Sequence, residues 1–246
     1  MTKRSYLDKK NFDEYAVDYD AALAHGLHVS GEDKIYFAKG RIAWLAGCLR
    51  GLKEQPRSVM DLGCGTGSAE PFLLDLMGAE SILGVDTSAK SLEIAQQTCG
   101  SKHAQFLLLN QYQPSEQFDL VFCNGVFHHI PPRERADTVD LVYRSLRPGG
   151  LFALWENNPW NPGARYVMSR IPFDRDAVML APAETRRMLR AGCFEILRTD
   201  FLFIFPRMLG WLRDVEPFFS RLPFGAQYQV LCRKREAVHA ACILSS

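Results

Sequence analysis

VMDLGCGTG, residues 59–67, decides how the rest of this chain is read. A short apolar run ends in an acid, Asp61, and three glycines follow at Gly63, Gly65 and Gly67. Glycine takes positive φ without strain and lets a ligand lie against bare main chain. The carboxylate shows which ligand that could be. An acid beside the turn would repel a pyrophosphate held at a helix N-terminus, and would suit an ammonium or a sulfonium. The G-x-G-x-G spacing also departs from the G-x-x-G of dinucleotide folds.

Outward from the turn, short apolar runs alternate with helical stretches. SVMDL, SILGVD, AQFLLL, FDLVFCNG and LFALWE read as strands. SAEPFLLDLM, SAKSLEIAQQT (with Ser88 as N-cap) and RERADTVDLVYRSL read as helices. In the last of these Ala136, Val139, Val142 and Leu146 are expected to face inward, and Pro148-Gly149-Gly150 to form the turn that ends it. Strands that are apolar throughout and separated by helices belong to a parallel sheet covered on both faces. Ahead of them, residues 8–25 and 32–50 read as helices, the second with Ala38, Ile42, Leu45 and Leu49 on its buried face.

Behind them the alternation breaks. Residues 157–182 are rich in Pro, Asn and Arg without a clean period, as a lid or binding loop would be. A helix (AETRRMLRAG), a strand (FEILRTDFLFIF), a helical stretch (PRMLGWLRDVEPFFSRL) and a last strand (AQYQVLCR) close the chain. One domain is expected, with a helical cap over 1–52, a cofactor-binding core over 53–156, a substrate-side insert over 157–192 and C-terminal strands and helix over 193–235.

Composition narrows the partners. Of 246 residues 47% are apolar, enough for a large core, and the net charge of +1 lacks the basic excess that nucleic acid demands. Seven scattered cysteines contain no C-x-x-C pair, so neither a zinc ribbon nor a disulfide framework is expected. The N-terminal residues lack the apolar stretch of a signal peptide, and no run approaches the roughly 20 apolar residues of a membrane span. The expectation is a cytoplasmic protein, monomer or homodimer, acting on a small molecule.

The second strand ends in Asp86, where an acid can accept hydrogen bonds from both hydroxyls of a ribose; a helix-capping role is the alternative. With VMDLGCGTG, ILGVDTS, FDLVFCNGVFHHI and LRPGGLFALWE in this order, the chain resembles the class I S-adenosylmethionine-dependent methyltransferases, in particular their small-molecule (type 11-like) group. The resemblance implies an α/β fold: a doubly wound, mostly parallel seven-stranded Rossmann-like sheet of order 3-2-1-4-5-7-6, its last strand antiparallel, under an N-terminal helical cap. It implies S-adenosylmethionine as cofactor and S-adenosylhomocysteine as product. The glycine turn, with Cys64, would carry the methionine moiety, Asp61 its amino group and Asp86 the ribose, beside Thr87. Asn110, where the family places an acid, can still accept a hydrogen bond from the adenine amino group, and Gln111 and Asn124 complete the set. NFDEYAVDYD resembles the family's lid, in which Tyr15 or Tyr19 covers the cofactor. Arg41 either meets the methionine carboxylate or is a surface arginine.

Methyl transfer is an in-line displacement that chiefly needs alignment and a dry site. In GVFHHIP the resemblance points to His128 as the catalytic histidine, with His129 packing behind it or holding the loop. Glu156, at the end of the fifth strand, could fix the His128 tautomer, and the pair could act as general base in O-methylation. The alternative is that Glu156 and Asn157 only bind substrate hydroxyls while alignment drives N-, C- or O-methylation. Adjacent histidines do not readily share one ion, so no metal is expected from His128, His129 and Glu156. Trp155, Asn157, Trp160 and Arg165 are candidate substrate contacts, with Tyr166, Phe173, Arg170 and Arg175 nearby, whereas Trp211, Phe218 and Phe219 read as core. The mix suits an aromatic, lipid-like or sugar-containing acceptor. Two other classes stay open: a non-catalytic S-adenosylmethionine-binding protein and an NAD-dependent oxidoreductase. The second leaves Asp61 unexplained.

Overall fold

Ser58–Leu62 forms β1, and its alternating residues sort to opposite faces of the sheet, as a pleated strand requires. Met60 and Leu62 enter one core and Val59 the other. The computed structural model describes residues 26–171, 174 and 177–235. The expected helix over 8–25, with Tyr15 and Tyr19, therefore lies outside the described residues, as do Phe173 and Arg175.

The remaining strands are β2 (Ser81–Asp86), β3 (Ala104–Leu108), β4 (Phe118–Asn124), β5 (Leu146–Asn157), β6 (Phe194–Leu202) and β7 (Gln227–Lys234). They form one seven-stranded sheet in the order β3-β2-β1-β4-β5-β7-β6. β7 runs antiparallel to both β5 and β6, while β1 to β5 pair in parallel. The order reverses beside β1. Its carboxyl end and that of β4 therefore splay apart, which is where open α/β sheets bind ligands.

Helices cover both faces. On one side lie α1 (Lys34–Leu52) and α2 (Glu70–Asp75), whose Ile42, Leu45, Leu49 and Leu73 pack on Val59, Leu120, Phe122 and Trp155. On the other lie α4 (Arg135–Ser145) and α6 (Pro182–Ala191), whose Val139, Val142 and Leu189 pack on Val121, Cys123, Phe152 and Leu154. Between α2 and α4 in sequence comes α3 (Ala89–Cys99), capped by Ser88, whose hydroxyl accepts the Ser91 N–H. All described cysteines are free thiols, and all but Cys99 are buried.

Four local expectations need correction. Ala136 is exposed. The buried face of α4 runs through Arg135, Val139 and Val142, and Ala136 sits about 100° round the helix from it. The Pro148-Gly149-Gly150 bend lies inside β5, where Gly149 has φ 74° and the register with β4 shifts between Phe118 and Leu120. The irregular insert contains a helix, α5 (Pro162–Arg170): Asn161 caps it by accepting the Ala164 N–H, and Ala164 and Met168, one turn apart, are buried. Finally, 206–222 is a 3-10 stretch (Arg207–Val215) followed by a single turn, α7 (Glu216–Phe219), not one helix. Its Trp211, Phe218 and Phe219 are exposed at 76%, 85% and 41%, so they are not core.

The glycine turn holds its shape in a left-handed backbone that costs other residues about 1–2 kcal/mol each. Gly63, Gly65 and Gly67 have φ of 76°, 56° and 81°. A Cβ on Gly67 would lie 2.5 Å from Cys99 Sγ and 3.2 Å from Ala95 Cβ, so α3 packs directly on that backbone. Gly67→Ala should lower stability by about 2–4 kcal/mol, from left-handed strain plus overpacking; urea unfolding of the variant beside the parent protein measures it.

Candidate active site

At the carboxyl end of β1 the side chains that meet are mostly acidic. Asp61 is buried, and Glu70, in the first turn of α2, is fully buried. Burial, with the neighbouring Glu70 and Asp86 charges, raises the Asp61 pKa, while the Arg41 guanidinium pulls against it. Burial likewise pushes Glu70 up to about 7. Two buried carboxyls of this kind form a pocket that gains from a cation. Arg41 is buried and not a surface residue; it donates to Gln227 Oε1 at 2.9 Å.

Asp86 closes the turn from the other side. Its carboxylate accepts the Gly65 N–H at 2.9 Å and the Ser88 N–H at 2.9 Å. So it does hold the start of α3, but its bond to the glycine turn goes beyond capping. Gly63, Gly65, Asp86 and Thr87 line a narrow groove of about 100 Å³. The Cys64 and Gly67 side of the turn packs inward instead: Cys64 is buried and Gly67 meets α3. Asn110 and Gln111 are exposed on the 3-10 turn Leu109–Gln111, and at that point the groove is lined by Leu109.

A second cavity, of about 450 Å³, opens beside the groove. Its polar wall includes Arg41, Gln227, Asn157, His128, His129 and Asp174. Arg41, Gln227 and Asn157 are joined in a row, since Gln227 Nε2 donates to Asn157 Oδ1 at 3.0 Å. The opposite wall is apolar, from Phe37, Ala164, Val167, Met168, Ile171 and Phe203. Asn124, Gly125 and His129 line both spaces, so groove and cavity meet at the end of β4.

The histidine pair sits on the 3-10 turn Phe127–His129. Glu156 anchors it from β5: Oε1 accepts the Phe127 N–H at 2.8 Å, and Oε2 lies 2.6 Å from His128 Nδ1. The sequence pairing of His128 with Glu156 is thus present in space. Asp174, from the insert, lies 3.6 Å from His128 Nε2 and 3.3 Å from His129 Nε2. Burial opposes charge on the His128 ring, but the carboxylates of Glu156 and Asp174 outweigh it and raise its pKa to about 10. At neutral pH the imidazole therefore carries a proton in this arrangement, contrary to the expectation of a ring ready to accept one.

Pleat parity separates the substrate candidates. Glu156 shares a face with Leu154 and meets the histidine turn, whereas Trp155 faces α1, fully buried beside Phe203. Trp155 is core. Trp160 and Arg165 are exposed and absent from the cavity wall, because α5 turns Ala164 and Met168 inward instead. Asn157 alone of the four reaches the cavity.

Sequence reading missed Glu70, Asp174, Gln227 and Arg135. Only Glu70 left a trace, as an acid three residues beyond the last glycine. Arg135 is buried and fastens the histidine turn to the insert. It donates to the carbonyls of Phe127, Ile130 and Val178 and pairs with Glu184 at 3.0 Å. The Val178 N–H in turn donates to the His128 carbonyl at 2.8 Å.

Comparison with known proteins agrees with this geometry. Residues 59–150 match the model of a methyltransferase domain. Over 101 residues the chain is 33% identical to a trans-aconitate 2-methyltransferase of Rhizobium leguminosarum, a match covering 41% of this chain and 39% of that one. The chain thus spans about two fifths of that relative's length. It is 29% identical to a ubiquinone biosynthesis O-methyltransferase of Paracidovorax citrulli over 215 residues, 80% of this chain and 84% of the relative. Magnesium protoporphyrin IX methyltransferase from Synechocystis, solved with bound S-adenosylhomocysteine, superposes with a TM-score of 0.61 at 18% identity, over 92% of this chain and 96% of that one. The fold is that of the class I S-adenosylmethionine-dependent methyltransferases. No described helix is long and apolar enough to cross a membrane.

Arg135→Ala would strand the Ile130 and Val178 carbonyls, while Glu184, half exposed, and Phe127, whose carbonyl still accepts the Ile130 N–H, lose little. It should cost about 2–4 kcal/mol, from the acceptors left without a donor. Guanidinium unfolding checks the cost. Faster amide exchange at Val178 would show that the insert had come loose.

Proposed function

We propose that this chain, which carries a methyltransferase domain over residues 59–150, transfers a methyl group from S-adenosylmethionine to a hydroxyl oxygen of a small-molecule acceptor. One observation carries the reading: the groove at the glycine turn and the 450 Å³ cavity share the wall at Asn124, Gly125 and His129, so two ligands can meet end to end there. The O-methyltransferase named among the relatives supports oxygen as the acceptor atom.

The residues fit the cofactor. Asp61 and Glu70 supply buried negative charge for an ammonium and a sulfonium, and Arg41 lies beside them for a carboxylate. Asp86 keeps acceptor capacity for ribose hydroxyls beyond its two backbone bonds. A Cβ at Gly65 would meet nothing within 4 Å, so the main chain is open to a ligand at that point. When bound, S-adenosylmethionine supplies an electrophilic methyl carbon. Among the remaining cofactor contacts expected from sequence, Asn124 stands at the junction, while Asn110 and Gln111 would reach an adenine only from outside the groove.

His128 and His129, with Asp174, form the polar end wall of the acceptor cavity and orient the acceptor oxygen, while Glu156 holds His128 from behind. His128 holds its own proton between two carboxylates, which favours alignment of an acceptor hydroxyl that has already lost its proton to solvent, as a phenol can, over transfer by general base. The apolar wall from α1 and α5 seats the body of an aromatic or lipid-like acceptor and excludes water. Asn157 and Gln227 offer it hydrogen bonds.

Incubation with labelled S-adenosylmethionine and a small-molecule extract should transfer label to a methyl ether. Label recovered only on nitrogen or carbon would overturn the acceptor assignment. Asp86→Ala should weaken cofactor binding by at least a hundredfold, since hydrogen bonds to a charged group contribute about 1.5–3 kcal/mol each; unchanged affinity in calorimetry would remove Asp86 from the ribose site.

A pH dependence is also expected. Burial raises the pKa of both Asp61 and Glu70, and a cationic ligand favours their ionised forms, so binding expels protons. Cofactor affinity should therefore rise as pH increases through about 7, the raised Glu70 value, and level off once the free protein is ionised. Calorimetry in buffers of different ionisation enthalpy counts those protons.

A further inference from the structure

Two buried carboxylates bracket the histidine pair, one on each side. Glu156 lies behind His128 and is 1% exposed, and Asp174 lies in front with an 8% exposed residue surface. The short turn that carries His128 and His129 brings their rings to 4.1 Å between centroids, although the residues are adjacent in sequence. One ligand atom from each of His128, His129 and Asp174 lies within 4.8 Å of the other two. The two Nε2–Oδ1 separations are 3.6 and 3.3 Å. Donors bound at about 2.0–2.1 Å in a tetrahedron stand about 3.3 Å apart, so these atoms are spaced as ligands of one ion.

From this we propose that His128, His129 and Asp174 form a divalent transition-metal site in the wall of the large cavity, with a fourth coordination position open to that cavity. Two imidazoles and one carboxylate suit zinc, or iron(II) as a facial triad. Three further observations agree. Glu156 Oε2 holds His128 Nδ1, the arrangement in which a carboxylate fixes the tautomer of a metal-binding histidine and leaves Nε2 to a metal, whose binding displaces the proton that Nε2 carries in the empty site. A dication balances the two carboxylates, in a place that offers them little water. Asp174 Oδ1 is buried without a hydrogen-bond partner, facing both rings. Adjacent histidines do not readily share one ion where their side chains diverge, as on an extended chain; on this 3-10 turn the two rings lie side by side.

The open position would take an oxygen of the acceptor, which selects acceptors with a hydroxyl beside a second oxygen such as a carboxylate or neighbouring hydroxyl. That role rests on the cavity being the acceptor site; the metal site itself does not. The test uses the full chain, stripped with chelator, dialysed and titrated with Zn²⁺ by calorimetry. One equivalent should bind, and Co²⁺ in its place should give the visible absorption of a tetrahedral centre. His129→Ala and Asp174→Asn should each weaken Zn²⁺ binding at least tenfold, and Glu156→Gln by about 10–100-fold. Far-UV circular dichroism and thermal melting identify any variant that fails to fold, in which case Asp174→Asn, the most conservative change, decides. Absence of saturable binding overturns the site, as does Zn²⁺ affinity unchanged in folded Asp174→Asn. Cofactor binding is measured on the same samples: its loss with Zn²⁺ binding intact counts against the methyltransferase reading and leaves the metal site standing.

Discussion

A single buried carboxylate, Glu156, organises the mouth of this sheet. It lies at the end of β5 with almost no exposure, and a charge there persists only if its oxygens are satisfied. One oxygen takes the Phe127 N–H and the other the His128 ring. The turn after β4 is thereby fastened to the neighbouring strand, and the histidine pair is held at the junction between groove and cavity. Arg135 continues the chain of contacts to Val178, which brings Asp174 over the rings. Remove the first link and each later one loses its anchor.

The glycine turn poses the opposite electrostatic problem. Asp61, Glu70 and Asp86 cluster behind it with Arg41 as the cation beside Asp61, and burial raises the first two. Such an arrangement costs folding energy that a hydrophobic isostere would not. It makes physical sense as a receptor, since a cationic ligand recovers in binding what the empty fold gives up. The site thus has two halves of different character. One is acidic and main-chain-lined, as the proposed charged nucleoside would need; the other is apolar with a polar end wall, as the proposed acceptor would need.

Much of this was legible from residue order. Apolar runs broken by helices, a glycine turn after the first run and acids at the ends of two strands are local signals, and the sheet order followed from the family resemblance they supported. The pairing of His128 with Glu156 could also be read, because in a parallel sheet the ends of adjacent strands lie side by side. The reading failed where the outcome depended on phase. Trp155 and Glu156 are neighbours in sequence, but the pleat sends one into the core and the other to the site. Ala136 missed the buried face of its helix by one position, and α5 hid in the insert because its inward stripe is only Ala164 and Met168.

What the sequence determined on its own was the framework: the strands, a turn whose left-handed backbone favours glycine, and acids that suit a cationic ligand. Periodicity and backbone sterics act over a few residues, and a few residues are enough to read them. What only the tertiary structure decided was the company each group keeps. Asp174 and Gln227 come from segments distant in sequence from the residues they meet, and the shape of the cavity they line is set by packing between α1, α5 and β7. That company converts a histidine read as a waiting base into one held between two carboxylates. Burial and charge are properties of a neighbourhood, and the neighbourhood exists only once the chain has folded.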